Sequence, residues 1–304
     1  MTETKQRASL ASISQTDNTF AIVAMDQRNT LKRMYAAVGA PPPSDQELIE
    51  SKADVVAGLR GSASAFLLDP TFGVPALDLI GGKRPGVLLA AEPTERASWE
   101  GEPRASRDPS LNAAWVIENR SDALKFFIQL RPGRARAKGT PDLVAEALTV
   151  VAAVIADARD AGVPSVIENL IYPIPGEEML TDRQREDEII EAGRLLDALG
   201  PDLLKLEYPG SPAACRRLAD SILSPWAVLS AGVAFDEFTH VLKVSCDDGG
   251  ASGFIAGRAL WRETVGLDHD ARLAYLADEG IRRLDTCVEA ISGRARPWTE
   301  RKQK

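Results

Sequence analysis

The chain has 304 residues, 44% hydrophobic and 26% charged, the make-up of a globular protein with ample core. Its 44 acidic against 36 basic residues leave a formal net charge of −8, which argues against nucleic acid as a partner because phosphate backbones need basic surfaces. No apolar run approaches the roughly 18 residues of a membrane span, and the opening MTETKQRASL lacks the apolar stretch of a secretory signal, so a cytoplasmic protein with no membrane contact is expected.

Eight short, apolar, β-rich runs follow one another along the chain: FAIVAM (20–25), SAFLLD (64–69), GVLLAA (86–91), LKFFIQ (124–129), PSVIEN (164–169), LLKLEY (203–208), WAVLSA (226–231) and SGFIAG (252–257). Between them lie segments with apolar residues at three- and four-residue spacing, most clearly 45–59, 140–162 and 181–200, each opened by an Asp or Thr cap and closed near a glycine. A closing amphipathic helix is expected over 270–293. Eight strands alternating with helices, apolar on both faces, point to parallel strands under helical cover, and that number suits a single (β/α)8 TIM barrel. Neither GxGxxG nor GxxxxGK[ST] follows a strand, so nothing favours an open nucleotide-binding sheet. No linker divides the chain, which reads as one domain over 1–304, with a flexible extension at 1–17 and a solvated, flexible tail at 294–304. Cys215, Cys246 and Cys287 are odd in number and far apart, as free thiols are. Only His240 and His269 are present, without HExxH or a Cys/His cluster, so neither a metal nor any other cofactor is expected.

A barrel carries its site at the C-terminal ends of its strands. Asp26, Asp69, Glu168, Glu207, Ser230 and Arg258 end or follow six of the runs, and two lysines sit deeper. Strand alternation puts Leu124, Phe126 and Ile128 on one face and Lys125 on the other, and likewise separates Leu204 and Leu206 from Lys205. If the apolar faces meet the helices, Lys125 and Lys205 point inward from alternate strands, with Glu168 between them. A lysine attacks a carbonyl only as the free amine, and a neighbouring cation together with desolvation favours that form. Lys205 would then form an iminium ion with a ketone, Lys125 would supply the like charge, and Glu168 would move the protons. The plainer alternative is a structural ion pair, Lys205–Glu207 or Lys125–Glu168. After the seventh and eighth runs, LSAGV and GFIAGRALW carry small residues where barrels often bind phosphate. Ser230, Gly232, Gly257 and Arg258 are the candidate donors, unless the glycines only make turns. Asp69 either holds the site or caps the following turn.

The segments AMDQRNTLKRM, LLDPTFGVPA, ALKFFIQL, SVIENLIYP, DLLKLEYP, LSAGV and GASGFIAGRALW, spread over residues 18–265, resemble the class I tagatose 1,6-bisphosphate aldolases and the related sulfofructose 1-phosphate aldolases. The resemblance implies a Schiff base on Lys205, proton transfer by Glu168 and a supporting Lys125. It also implies a site lined by Asp26, Gln27 and Arg28, and a phosphate held by Ser230, Gly232, Gly257 and Arg258. Asn169 departs from the proline or apolar residue expected after the glutamate and could retune Glu168 or shift its loop. The implied reaction cleaves a ketohexose 1-phosphate with an anion on C6, either tagatose 1,6-bisphosphate or 6-deoxy-6-sulfofructose 1-phosphate. The products would be dihydroxyacetone phosphate and a three-carbon aldehyde, the partner a phosphorylated sugar, and the assembly a homo-oligomer. Cations for the C6 anion are sought in Arg28 and Lys32 or in RPGRARAK (131–138), which could instead be a solvated charge run. Another sugar-phosphate barrel enzyme, such as an isomerase or a deoxyribose-phosphate-type aldolase, and a non-catalytic sensor remain alternatives.

Overall fold

The computed structural model describes residues 9–135 and 138–300. Within them a closed barrel is formed by β1 (Phe20–Met25), β2 (Ala65–Leu68), β3 (Gly86–Ala90), β4 (Ala123–Ile128), β5 (Ser165–Asn169), β6 (Leu203–Leu206), β7 (Trp226–Val228) and β8 (Gly253–Ala256). Each pairs in parallel with its sequence neighbours, and β8 returns to β1 in the register Val23↔Ala256. All eight expected strands are present, so the (β/α)8 reading stands.

Helices separate the strands: α1 (Asn29–Ala37) and α2 (Asp45–Leu59) after β1, α3 (Gly73–Leu79) after β2, α4 (Ala113–Glu118) before β4, and α5 (Leu143–Ala161) after it. Then follow α6 (Asp182–Asp197), α7 (Pro212–Ser221), α8 (Phe235–Asp247), α9 (Arg258–Trp261), α10 (His269–Tyr275) and α11 (Ile281–Ile291). The starts of α2 and α6 are fixed by capping boxes, Ser44 with Glu47 and Thr181 with Gln184, which satisfy backbone donors that a helix start leaves unpaired. A small hairpin, Ala97–Trp99 with Glu102–Arg104, stands over the mouth side between β3 and β4.

Two apolar layers result from strand alternation. Ile22, Leu67, Leu88, Val166, Leu203 and Ile255 fill the barrel interior, while Val23, Leu68, Leu89, Phe126, Ile167 and Leu204 face the helices. Lys125 and Lys205 fall in the inward set, as their neighbours' alternation requires.

Two expectations are corrected. The closing helix of 270–293 is broken by a π-helical turn, Leu276–Gly280, where Leu276 packs into the space that Gly58 leaves on α2; a Cβ at Gly58 would lie 2.8 Å from that of Leu276. The described parts of the extension and tail are docked, not free. Leu10 and Ile13 are buried in the interior cluster, Trp298 packs on it, and the Trp298 N–H donates to the Asn18 carbonyl at 2.9 Å. An open barrel floor would expose Phe20 and its neighbours, and these segments cover it.

Candidate active site

At the C-terminal mouth, Glu168 stands in register with Lys205 on the adjacent strand. Its carboxylate bridges both lysines, Oε2 lying 2.6 Å from Lys125 Nζ and Oε1 2.8 Å from Lys205 Nζ. All three side chains are buried. Lys125 also meets Asp26 Oδ2 at 2.8 Å and Glu92 Oε1 at 3.0 Å, so three carboxylates surround one ammonium. Burial works against that charge, yet Asp26, Glu168 and Glu92 outweigh it and hold Lys125 protonated well above the ordinary lysine range. The converse holds for the acids. Burial pushes Glu168 and Asp26 up, but Lys125 and Lys205 bring both net below the usual carboxylate range. Lys125 therefore differs from the expected bare cation: its charge is compensated, and what lies against Lys205 is the Glu168 carboxylate.

The other polar residues at the strand ends have defined duties. Glu207 faces away from Lys205. It accepts from the Ile171 N–H at 2.7 Å and from Arg185, so it anchors the loop after β5 and makes no ion pair with Lys205. Asn169 points outward and holds Leu130 through both backbone groups, accepting at 2.7 Å and donating at 3.2 Å. It thus pins the loop after β4 and turns away from Glu168. Asp69 caps the turn after β2 through the N–H groups of Thr71, Phe72 and Gly73, and it also pairs with Lys52 at 2.8 Å. Of the two roles weighed for it, the turn cap is the one these contacts fill.

The mouth opens into a cavity of about 450 Å³ lined by Asp26, Gln27, Arg28, Lys125, Glu168, Lys205 and Arg258, among others. Six cationic side chains, Arg28, Arg33, Arg96, Lys125, Lys205 and Arg258, face three carboxylates, Asp26, Glu92 and Glu168, in a protein whose net charge is −8. That inversion makes the cavity attract anions. Arg33, Arg96 and Arg258 make no ion pair with a carboxylate among the described residues, and burial pulls Arg96 and Arg258 below the ordinary guanidinium value. Arg96 stacks over the Phe127 ring at 4.2 Å and donates to Gln129 at 3.2 Å.

Of the expected phosphate donors, Arg258 lines the cavity, whereas Ser230, Gly232 and Gly257 are not in its lining. Gly232 nonetheless lies against Arg258: a Cβ there would sit 3.0 Å from the guanidinium carbon, and Ala231 and Gly232 both hold positive φ, 47° and 85°. Gly257 is glycine because β1 approaches it, with the Ala24 carbonyl 2.1 Å from where a Cβ would stand. Its role as a turn glycine is thus the one the packing explains.

The cations sought for a distal anion are placed differently from expectation. Arg28 lines the cavity and donates to Thr94 Oγ1 at 2.6 Å, but Lys32 turns to Asp45 at 3.3 Å. Arg131 pairs with Glu177 at 2.7 Å and Arg134 with Glu102 at 2.5 Å, which leaves neither solvated nor free for a ligand. Arg136 lies outside the described residues, and Lys138 is exposed. The residues missed from sequence are Glu92, Arg33, Arg96 and Lys52. Glu92 follows AA in GVLLAAEP, one residue past the assigned run, where its strand-end position was a usable signal.

A family model described as DeoC/LacD family aldolase matches residues 20–263. Tagatose 1,6-diphosphate aldolase 2 of Streptococcus pyogenes serotype M3 is 26% identical over 99% of this chain and 98% of that protein. The tagatose 1,6-diphosphate aldolase of Lactococcus lactis subsp. lactis is 25% identical over 99% of each. Among solved structures, fructose-bisphosphate aldolase from Plasmodium falciparum superposes with a TM-score of 0.71 at 14% identity, covering 96% of this chain and 98% of that one. A Schiff-base-forming fructose-1,6-bisphosphate aldolase superposes with a TM-score of 0.62 at 14% identity, covering 91% and 96%. At these identities the structural matches speak for the fold.

Proposed function

The chain belongs to the DeoC/LacD family of aldolases, and on that premise we propose that it cleaves a ketohexose 1-phosphate carrying an anion on C6 through a Schiff base on Lys205. The observation that carries this reading is the Glu168 carboxylate held between Lys125 and Lys205, at 2.6 and 2.8 Å, inside an electropositive mouth.

The chemistry follows from that contact. Glu168 takes a proton from the Lys205 ammonium, and the freed amine attacks the C2 ketone. The resulting carbinolamine hydroxyl leaves as water with the proton from Glu168, giving the iminium ion. Glu168, again a carboxylate, takes the C4 hydroxyl proton as the C3–C4 bond breaks, and the electron pair of that bond flows into the iminium. The three-carbon aldehyde leaves, Glu168 protonates C3 of the enamine, and water hydrolyses the iminium to dihydroxyacetone phosphate and free Lys205. Lys125, kept charged by its three carboxylates, holds Glu168 in place and favours its anionic form. Asp26 and Glu92 hold Lys125.

The substrate's two ends are assigned by charge. Arg258, beside the Ser230–Gly232 loop, takes the phosphate next to the ketone. Arg28, Arg33 and Arg96, on the β1 and β3 side of the mouth, take the distal anion, which a phosphate or a sulfonate can supply because guanidinium groups accept either. The test is kcat/KM for tagatose 1,6-bisphosphate, fructose 1,6-bisphosphate, 6-deoxy-6-sulfofructose 1-phosphate and fructose 1-phosphate, with release of dihydroxyacetone phosphate as the readout. Preference for substrates with a C6 anion is expected, together with its loss in Arg96→Ala. Equal cleavage of fructose 1-phosphate removes the distal site, and no release from any of the four overturns the reading.

A further inference from the structure

A fully buried charge pair lies outside the reaction just described. Lys52, on α2, is 0% exposed, and its ammonium has three acceptors for its three protons: the Met25 carbonyl, the Gln27 carbonyl at 2.9 Å and Asp69 Oδ1 at 2.8 Å. The two carbonyls flank Asp26. The fixed peptide groups on either side of Asp26 leave its side chain directed at Lys125, 2.8 Å away. Asp69 is itself immobilised by the N–H groups of Thr71, Phe72 and Gly73, so the clamp is anchored in the turn after β2.

We propose that Lys52 is a positioning residue of the reaction, clamping the backbone around Asp26 so that Asp26 helps hold Lys125 as an ammonium against Glu168. Stability alone does not account for it, because a well-packed apolar residue often replaces a buried ion pair without loss. What the ammonium adds is a fixed direction for the chain at the point where β1 delivers its one carboxylate. Burial opposes the charge on Asp26, and the Lys52 ammonium adds to the larger effects of Lys125 and Lys205 in holding it ionised.

The inference rests on the aldolase reading for its kinetic consequence but not for its geometric one, and the two are separable. Lys52→Met keeps length and volume and removes the donors. Asp69 retains three backbone donors in that variant, so the turn after β2 keeps its cap. With tagatose 1,6-bisphosphate, kcat should fall by about tenfold to a hundredfold with KM little changed, in line with the cost of misplacing a catalytic group by about an ångström. In an Asp26→Asn background the same substitution should cost less than about twofold, since a residue acting through Asp26 loses its effect when Asp26 is changed. Equal factors in the two backgrounds would make Lys52 an ordinary structural residue. Should Lys52→Met not fold, Asp69→Asn, which releases the clamp from its anchor, must show the same non-additivity with Asp26→Asn. A crystal structure of the folded variant decides the geometry whatever the substrate. Asp26 should move beyond ion-pair distance of Lys125, more than about 4 Å, and an unmoved Asp26 overturns the proposal.

Discussion

At Lys125 one buried ammonium balances the carboxylates of Asp26, Glu92 and Glu168. Alternation alone turned it inward, and its inward place is correct. The partners that fix its charge come from β1, β3 and β5, and no periodicity in one chain segment shows which carboxylates from three others will converge. Removing this ammonium takes a counter-charge from three carboxylates at once and leaves Lys205 alone against Glu168, a loss of about 3–5 kcal/mol when one partner of a buried pair is deleted. The pH dependence has a definite sign. In the wild type Asp26 and Glu168 lie below their ordinary values, so their stabilisation is present above the usual carboxylate pKa near 4 and is lost only as pH falls through their lowered values. In Lys125→Met burial should outweigh the cations that remain and raise those acids, so the folded state is expected to take up protons more readily than the unfolded one and to gain stability on acidification. Thermal melts should show Lys125→Met closest to wild type near pH 5 and furthest from it near pH 7.5. A gap that is constant across this range would mean that Lys125 is not compensating the acids. Glu168→Gln should lower kcat by about 10² to 10⁴, the usual worth of positioned proton transfer, and a loss below about tenfold would take the proton shuttle away from Glu168.

Strands were easier to read than the segments joining them. Each β run is short, apolar on both faces and bounded by polar or turn residues, a pattern that parallel strands under helices must have. The hairpin at 97–104 carries no such signal, since Ala97, Ser98 and Trp99 are at most half-buried and pair with Arg104, Pro103 and Glu102 outside the barrel sheet. The arginines of 131–134 read as a solvated or ligand-binding run because their partners, Glu177, Glu188 and Glu102, are distant in sequence. Gly257 illustrates the same gap at the β8–α9 junction. Its sequence context suggested phosphate donation, while its lack of a side chain is required by the Ala24 carbonyl of β1. Gly257→Ala should therefore destabilise the fold itself, by about 1–3 kcal/mol if the backbone can shift to admit the methyl group, and lower the melting temperature without ligand present. A normal melting temperature with weakened substrate binding would restore the phosphate role.

Over the whole molecule, one end of the barrel is built for closure and the other for chemistry. The floor is sealed by Leu10, Ile13 and Trp298 against the interior cluster, which the sequence alone could not show because so short a segment has neither period nor length. Ile13→Ala should cost about 2–5 kcal/mol of stability, the range for truncating a buried aliphatic side chain, and leave kcat unchanged; a large loss of kcat would mean that the two ends are coupled. At the mouth, no group of three or more His, Cys, Asp or Glu among the described residues is placed to hold a metal ion. Activity should persist after exhaustive chelation, and loss restored by a divalent cation would assign carbonyl polarisation to a metal instead of Lys205. Among the described residues no helix is long and apolar enough to cross a membrane.

The covalent step can be observed without knowing the sugar. Incubation with dihydroxyacetone phosphate and borohydride should reduce the iminium ion, inactivate the protein and add the mass of the reduced triose phosphate to the peptide containing Lys205. Lys205→Met should remain folded, take up no label and release no product. Label on Lys125 or elsewhere, or turnover by Lys205→Met, would contradict the mechanism.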